Sequence, residues 1–577
     1  MCRWDEATAA GSGEAGGVKR SAPGVDGFAR RFNVRVPMRD GVEMSADITF
    51  PTAPPAPAVL VHTPYGKANP RVDEMAASYA RAGYAFVVAD VRGRGDSGGD
   101  EFVPYRYDGK DGFDLIAWIA AQDWCSGDVV TWGGSYLGRA QWLVALEQPP
   151  ALRAMVVLAC PSDAFVEWPT GTQTLMLINW HAATDGRVVQ PRATVDWRRV
   201  YEHLPLVDLD EAAGFSSARW REDLSHPTFD DHWRAIAYQH RFDEIDLPVL
   251  HVSGWYDDEE VGTPRNFTGM LRGARSEAGR RAQRMLIGPW GHAINAGRQL
   301  GDIDFGDDAV IDLRGYEQRW LDHHVRDAHP DVAEQPPVRI FVMGVNEWRD
   351  EPSWPPPYVE EKSYYLHSGG AANTSSGDGV LTTEPPVRDE PSDRWTHDPL
   401  DPVPFVTPPS SAQLGGPDDY REVEQRGDVL VFSTEPLTED VEVIGPVRLR
   451  AFVATSARDT DVVARLVDVH PDGFAQRLCD GIVRLRYRES VERTAPVEPG
   501  VVYEVDVDLW DTAHRFAAGH VLRLEVMSSA FPKYDRNLGT GGDMVTETEG
   551  VRAENTLWHD AERPSRLVLQ VSRRQGA

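Results

Sequence analysis

The chain has 577 residues, of which 41% are hydrophobic, and its 90 acidic residues outnumber 59 basic ones. A chain of this length exceeds what one hydrophobic core supports, so we expect two or three folded domains. The formal charge of −31 repels polyphosphates, which argues against nucleic acid as a partner. The four cysteines are widely spaced and form no CxxC pair, which predicts neither a disulfide framework nor a thiolate zinc site.

The N-terminal segment 1–31 is rich in Gly, Ala and Ser, and we expect it to be disordered. It lacks the apolar stretch of a signal peptide. No apolar run elsewhere approaches the roughly 20 residues that cross a bilayer. These features predict a cytoplasmic protein without membrane contact, and they leave open its association into a homo-oligomer.

Strand-like and helix-like segments alternate over residues 32–160. The segments 56–66, 84–93 and 129–135 are short, apolar and end in glycine-containing turns, which is typical of buried parallel strands. Stretches with helical periodicity lie between them. This order predicts an α/β fold built on a doubly wound sheet.

Two later changes of pattern predict further domains. Residues 161–245 place five tryptophans among charged helical stretches, and we interpret this segment as a helical cap over the active edge of the sheet. The α/β pattern resumes over residues 246–335. From 336 to 577, segments such as 338–345 and 446–455 alternate with period 2 between Pro- and Gly-rich turns, which predicts an all-β jelly roll.

The segment around Ser135 has the pattern of a nucleophile turn. A β run enters it through Gly133 and Gly134, and a helical stretch leaves it. A serine hydroxyl is a weak nucleophile unless a tight turn exposes it beside a base, and glycines tolerate such a turn. The common elbow has glycine two residues after the serine, whereas this chain has Leu137 there and Gly138 one residue later. The pattern alone therefore also fits a glycine-rich turn.

Two residues further along the chain complete a catalytic set. Asp257 and His292 each follow an apolar, strand-like run, so both are expected at the same sheet edge as Ser135. The order Ser, Asp, His is that of α/β hydrolases. In such a triad the histidine takes the serine proton and the aspartate orients the histidine.

Oxyanion donors are expected from two tyrosines. The backbone N–H of Tyr136 begins the helix after Ser135, where free N–H groups stabilise developing negative charge. Tyr65 lies in the loop after the strand 56–63, which opens at the same edge, and its hydroxyl is the expected second donor. The alternative is a tyrosine that only packs beneath that loop.

The segment Gly93–Gly98 fits the GxGxxG pattern of dinucleotide sites. A Rossmann site requires a helix to start at this point, but the chain continues as loop. We therefore expect no nucleotide here. Instead, Arg92, Arg94 and Asp96 are expected to fix the loop by charge-assisted hydrogen bonds.

With these motifs assembled, the chain resembles the family of X-prolyl dipeptidyl-peptidases, cocaine esterases and α-amino acid ester hydrolases over about residues 32–573. The resemblance implies an α/β-hydrolase core, a helical cap and a C-terminal jelly roll. It also implies that Ser135 is the nucleophile, Tyr65 an oxyanion donor, and Asp257 and His292 the remaining triad members. The matching stretches include TPYGK (63–67), GGSYLG (133–138), GWYD (254–257) and GPWGH (288–292).

The resemblance also implies a substrate-binding set. In α-amino acid ester hydrolases, acidic residues two and three positions after the catalytic aspartate hold the substrate's ammonium group, and Glu259 and Glu260 match these positions. Asp163 or Glu167 at the start of the cap is expected to supply a third acid, and Trp168 is a further candidate contact. The alternative is that these acids are solvated loop charges in a very acidic protein.

The sequence thus predicts hydrolysis of a small-molecule ester or amide, or of a short peptide, through an acyl-enzyme. No motif encodes a metal or an organic cofactor, and we expect none. Three alternatives stay open: an X-Pro dipeptidyl-peptidase, an acyltransferase or amide-forming enzyme with the same triad, and a binding protein whose jelly roll captures sugars beside an inert core.

Overall fold

The structure is a computed structural model that describes residues 27–172, 175–408 and 415–574. Its strands fall into a large N-terminal sheet, a small ribbon and a C-terminal sheet. The strands of the N-terminal sheet and the ribbon are β1 Ala29–Pro37, β2 Glu43–Phe50, β3 Ala56–Thr63, β4 Ala85–Asp90, β5 Cys125–Gly134, β6 Leu152–Leu158, β7 Val249–Gly254, β8 Gln283–Gly288, β9 Gln299–Leu300, β10 Ile303–Asp304, β11 Val338–Val342 and β12 Glu347–Glu351. The strands of the C-terminal sheet are β13 Val359–His367, β14 Val380–Thr382, β15 Asp393–His397, β16 Leu430–Ser433, β17 Val441–Thr455, β18 Asp461–Val469, β19 Ala475–Arg484, β20 Tyr503–Phe516, β21 Val521–Met527, β22 Ala553–Trp558 and β23 Arg566–Ser572.

The α-helices all belong to the N-terminal part of the described chain. They are α1 Pro70–Arg81, α2 Asp108–Ala120, α3 Tyr136–Leu146, α4 Leu177–Thr184, α5 Trp197–Tyr201, α6 Leu209–Ala212, α7 Ala218–Leu224, α8 Asp231–Arg234, α9 Gly262–Gly273, α10 Glu277–Arg281 and α11 Leu313–Arg326. Among the described residues, no helix is both long and apolar enough to cross a membrane.

The N-terminal sheet has the order β1-β2-β4-β3-β5-β6-β7-β8-β11-β12. Its seven central strands, from β4 to β11, run parallel, and antiparallel strands close both edges. Helices cover both faces: Leu115 and Ile116 of α2 pack into one apolar cluster, and Tyr79 of α1 and Trp320 of α11 pack into the other. Because parallel strands need crossover connections, the alternating sequence pattern produces this layered α/β fold, as predicted.

Two details differ from the sequence-based boundaries. Residues 338–345 were expected to begin the jelly roll, but Val338–Val342 (β11) pairs in parallel with β8 and extends the N-terminal sheet. A period-2 pattern cannot show which sheet a strand joins, because it specifies only which residues share a face of the strand. Residues 29–31 were expected to be disordered but begin β1, whereas residues 1–26 lie outside the described chain.

The segment between β6 and β7 contains the five helices α4–α8. Their apolar side chains form a separate small cluster that includes Trp197, Tyr201 and Trp220. The insertion follows β6 at the carboxyl edge of the parallel sheet, the edge where ligands bind in open α/β sheets. It therefore lies where the predicted cap must lie to cover a site.

The C-terminal sheet is entirely β, as predicted, and its strands surround one apolar cluster that includes Leu449, Leu466 and Leu524. This domain contacts both other parts of the molecule. Arg484 donates to the carbonyl of Thr170 in the cap segment at 2.8 Å. Gln476 donates a hydrogen bond to the hydroxyl of Tyr256 at 3.2 Å, and Tyr256 is the residue directly before Asp257.

Candidate active site

Ser135 lies at the turn between β5 and α3. Its backbone has φ 57° and ψ −130°, a region that residues with a side chain rarely adopt. Two hydrogen bonds hold this conformation, because the Ser135 N–H donates to the carbonyls of Leu158 at 3.0 Å and Ala159 at 2.8 Å. The strained turn keeps the hydroxyl half-exposed at the carboxyl edge of the sheet.

The glycines around Ser135 are required by close contacts. A Cβ on Gly133 would lie 2.3 Å from the Leu137 Cβ, and one on Gly138 would lie 3.0 Å from the Leu158 carbonyl oxygen. Helix α3 therefore lies close to the end of β6 at Gly138, one position later than in the common elbow. This explains why Leu137 is tolerated where a glycine is usual.

Backbone pairing brings Asp257 and His292 together. Strands β7 and β8 are parallel neighbours, and their pairing continues beyond the strand ends. The N–H of Trp255 donates to Gly288 at 3.0 Å, and that of Tyr256 donates to Trp290 at 3.0 Å. The two loops therefore leave the sheet side by side.

Asp257 is buried and holds the His292 ring. Its Oδ1 lies 2.8 Å from His292 Nδ1, and its Oδ2 accepts a hydrogen bond from the Ser253 hydroxyl at 2.7 Å. These partners keep the pKa of Asp257 below its ordinary value, although burial opposes this. An ionised Asp257 fixes the tautomer with the proton on Nδ1, which leaves Nε2 free to accept a proton.

Tyr65 is held by a residue of the cap. The Trp180 indole N–H donates to the Tyr65 hydroxyl oxygen at 3.0 Å. Burial raises the pKa of Tyr65, and hydrogen bonds from Trp180 and Ser135 oppose this only in part. Tyr65 is therefore a neutral phenol whose O–H proton is available for donation.

Tyr136 contributes its backbone rather than its side chain. As the first residue of α3, it has an N–H group without a carbonyl partner inside the helix. Its hydroxyl is used elsewhere, since it donates to Asp108 at 2.7 Å, and its ring stacks on Tyr105. These contacts fix the start of α3.

The predicted loop lock around Gly93–Gly98 is present. Arg92 pairs with Asp111 at 2.6 Å, and Asp96 pairs with Lys67 at 2.8 Å. The buried Arg94 donates to the carbonyls of Pro64 at 2.8 Å and of the cap residue Thr184 at 2.9 Å. The lock thus joins the loop that carries Tyr65 to the cap.

One cavity of about 590 Å³ contains the predicted chemistry. Ser135, Tyr65, Tyr136 and His292 line it, and aromatic and charged side chains of the cap form its other walls. A cavity of this volume fits a small-molecule ligand.

Three acids lie in this cavity beside His292. Asp258 Oδ1 and Glu259 Oε2 lie 3.2 and 3.9 Å from His292 Nδ1, and Glu167 lines the same wall. Burial raises the pKa of Glu167 to about 8 and that of Glu259 well above its ordinary value. Burial alone would lower the pKa of His292, but the charges of Asp258, Asp257 and Glu259 outweigh it and raise that pKa well above 6.5.

Not all of the predicted substrate contacts meet there. Glu260 is buried on the opposite side of the Asp257 loop, in a small cavity against the C-terminal domain beside Asp511, and not in the catalytic cavity. Asp163 is fully used by the backbone, because its carboxylate accepts from the N–H groups of Tyr238 and Gln239. Trp168 lines the cavity and packs on Trp233. The expected pairing of Glu259 with Glu260 in one site is therefore wrong in geometry.

Comparisons with known proteins agree with the sequence motifs. Residues 40–294 match the model of the X-Pro dipeptidyl-peptidase (S15 family), and residues 330–568 match that of the X-Pro dipeptidyl-peptidase C-terminal non-catalytic domain. The chain is 37% identical to cocaine esterase of Rhodococcus sp. (strain MB1 Bresler), over 95% of this chain and all of the relative. The chain belongs to the S15 peptidase and cocaine esterase family of serine hydrolases.

Solved structures of this family superpose over nearly the whole chain. An aminopeptidase from a marine sediment Thaumarchaeota archaeon matches with a TM-score of 0.85 and 26% identity, covering 99% of this chain and 100% of that one. An α-amino acid ester hydrolase matches with a TM-score of 0.83 and 26% identity, covering 98% and 100%. The protein is therefore an enzyme, a serine hydrolase of this family.

Some groups in this S15-family chain have ligand atoms close enough to hold a metal ion. Within each group these atoms lie within 4.8 Å of one another. Hydrogen bonds already join members of the groups, such as His292 with Asp257 and His520 with Asp468 at 2.9 Å. The groups are Glu222, His226 and His232; Asp468, His470 and His520; and Asp257, Asp258 and His292.

Two residues of the site were not found from the sequence. Asp258 directly follows Asp257, whereas the sequence-based prediction names only the two acids after it. Trp180 was counted among the cap aromatics without a role, because its hydrogen bond to Tyr65 joins residues 115 positions apart. The run of four consecutive acids was the available signal for Asp258; the sequence contains no comparable signal for Trp180.

Proposed function

We propose that the enzyme cleaves esters or amides with Ser135 as nucleophile, His292 as general base and Asp257 as the acid that orients it. The observation that carries this proposal is the buried Asp257–His292 pair, joined at 2.8 Å, in the same cavity as a serine in a strained strand-to-helix turn. Strain of this kind persists where function requires an exposed side chain.

In the proposed reaction, His292 Nε2 takes the proton of Ser135 as its oxygen attacks the substrate carbonyl. The Tyr65 O–H and the Tyr136 N–H stabilise the negative charge on the carbonyl oxygen. His292 then gives its proton to the leaving group, and an acyl-Ser135 remains. Water, deprotonated by His292, releases the acid and restores the enzyme.

Replacement of Ser135 tests this assignment. Ser135→Ala should lose roughly 10⁴-fold or more in kcat on an activated ester while its unfolding curve stays that of the wild type. A fluorophosphonate probe should label the wild type and leave the variant unlabelled. Labelling of neither protein would support an inert core, and full activity of the variant would exclude Ser135.

We further propose that the preferred acyl group carries an α-amino group. Glu259 Oε2 and Asp258 Oδ1 are buried and have no hydrogen-bond partner among the described residues, so a cationic ligand would satisfy them. They lie within 4 Å of His292 Nδ1 and line the same cavity as Ser135, so an ammonium group bound to them is held beside the catalytic histidine. An X-Pro dipeptidyl-peptidase would bind the amine one residue further away. The structurally similar α-amino acid ester hydrolase bears the corresponding name.

The amine preference is tested with matched esters. An alanyl and a propionyl ester of the same phenol differ only in the α-amino group. In Glu259→Gln the ratio of kcat/KM for the two esters should fall by about 10- to 100-fold, because a charge-assisted hydrogen bond is lost. Glu277→Gln, an exposed change on α10, is the control. Equal rates for both esters in the wild type would refute the preference, and cleavage of an X-Pro anilide in place of both would favour the peptidase.

A further inference from the structure

The catalytic cavity contains an arginine whose bonding capacity is largely unused. Arg219 of α7 lines the cavity and is partly buried. The hydrogen bonds of its guanidinium within the described protein reach only the Thr184 hydroxyl, at 3.4 Å from both Nη1 and Nη2, which is long for such a bond. No described carboxylate forms an ion pair with Arg219. Burial lowers the pKa of its guanidinium, and the charges of Asp185 and Asp223, which lie beyond ion-pair distance, oppose this only in part.

Two other arginines that line the cavity, Arg139 and Arg192, are already engaged, and a third, Arg106, is exposed. Arg139 donates to the Ile236 carbonyl at 3.0 Å and faces Asp163 at 3.9 Å. Arg192 donates to the Asn179 side chain. Arg219 therefore differs from both, because its fork of N–H donors has no comparable acceptor. A desolvated guanidinium without a partner is unfavourable, and a ligand anion would supply the partner.

Aromatic rings hold Arg219 in place on one flank of the site. Its Cζ lies 5.2 Å from the centre of the Phe102 ring and 6.0 Å from that of Trp180, the residue that donates to Tyr65. The buried Arg94 lies over the same Phe102 ring at 5.6 Å. Both guanidinium groups thus lie against one aromatic ring, and Arg219 is the one of the two that lines the cavity.

The same cavity is also lined by the acids of the proposed amine site. Asp258 and Glu259 lie beside His292, and the proposed function assigns the substrate's α-amino group to them. If the amine of the acyl half is bound there, Arg219 is left in the same cavity for a group on the other half of the substrate. The cavity therefore offers acids for an ammonium group and a guanidinium for a carboxylate on one substrate.

We propose that Arg219 forms an anion subsite that binds a carboxylate on the leaving-group half of the substrate. The substrate class is then α-amino acyl esters or amides with a carboxylated leaving group, as in a dipeptide. This inference rests on the proposed function of the acid cluster. Arg219 acts on binding and specificity, since the acyl transfer itself uses Ser135, His292 and Tyr65.

Two chromogenic esters of alanine test the subsite. One releases 4-nitrophenol and the other releases 5-hydroxy-2-nitrobenzoate, which adds a carboxylate to the same chromophore, and each turnover consumes one water. In Arg219→Gln, the ratio of kcat/KM for the carboxylated ester to that for the neutral ester should fall about 10- to 100-fold, mainly through KM. Arg219→Lys keeps the positive charge but loses the fork of N–H donors, so its ratio should lie between those of the wild type and Arg219→Gln.

The control is Arg198→Gln, an exposed change on α5 outside the catalytic cavity, which should keep the wild-type ratio. Both esters are assayed on the same preparation of each variant. Partial misfolding therefore lowers the two rates equally and leaves the ratio of their kcat/KM values unchanged. An unchanged ratio in Arg219→Gln would overturn the anion subsite while both esters are still hydrolysed. If the wild type hydrolysed neither ester, the proposed function itself would fail.

Discussion

Asp258→Asn should move the pH dependence of the reaction to lower pH. Neutral His292 is the proposed base, so activity rises as pH passes through its pKa, which the neighbouring acids raise well above 6.5. Removing a negative charge destabilises the imidazolium, and the pKa falls. Two unit charges at the observed 3.2 Å interact by about 1.3 kcal/mol at the dielectric constant of water and by about 5 kcal/mol at an effective value of about 20. These limits correspond to roughly 1 and 4 pH units.

We expect a shift of about 1 unit, because the cavity admits water and because burial raises the pKa of Asp258, which reduces its mean charge. The assay is the pH profile of kcat/KM on an ester without an amine, so that substrate ionisation does not contribute. Asp123→Asn, an exposed change before β5, is the matched control and should leave the profile in place. If the rising part of the kcat/KM profile stays at the same pH or moves to higher pH in Asp258→Asn, the electrostatic argument is refuted.

Two further substitutions have defined outcomes. Tyr65→Phe removes the proposed oxyanion donor and should lower kcat about 10²- to 10³-fold with KM little changed; a loss below threefold would leave the Tyr136 N–H as the main donor. Arg484→Met leaves the buried carboxylates of Asp461 and Asp535 unpaired and should lower the free energy of unfolding by about 3–5 kcal/mol in urea titrations. The control is Arg450→Met, which breaks the exposed ion pair with Asp506 and should lower the free energy of unfolding by under about 1 kcal/mol. Equal losses of stability in the two variants would contradict the reasoning.

The parts of the site that follow strand ends could be predicted from the sequence. Short apolar runs followed by glycine turns located β5, β7 and β8, and parallel strands bring their carboxyl ends to one edge. This placed Ser135, Asp257 and His292 at one edge, and the structure brings Ser135 and His292 to one cavity with Asp257 behind the histidine. Such reasoning works because it needs only local pattern and strand direction.

Features that depend on tertiary packing could not be predicted in this way. The membership of Val338–Val342 in the N-terminal sheet depends on its pairing with β8, which the pattern of its own residues does not specify. The hydrogen bond between Trp180 and Tyr65 depends on how the cap closes over the sheet. Neither contact has a counterpart in composition or periodicity.

The acids after β7 show how a turn divides one sequence feature into different functions. Asp257, Asp258, Glu259 and Glu260 are consecutive and chemically alike, but the turn directs them to different surroundings. Asp257 points to His292, Asp258 and Glu259 line the catalytic cavity, and Glu260 faces the C-terminal domain. A sequence argument that counts positions from Asp257 treats them as one set, and the backbone conformation alone separates them.

This division has an electrostatic consequence for the proposed mechanism. The charges of Asp258 and Glu259 that would attract an ammonium group also raise the pKa of His292, so the free enzyme holds more of its base in the inactive, protonated form. An ammonium group bound to these acids offsets their charge and reduces that shift. The substrate with an amine therefore lowers the pKa of His292 as it binds, whereas a substrate without one leaves that pKa raised. Selectivity for the amine then arises in the chemical step as well as in binding.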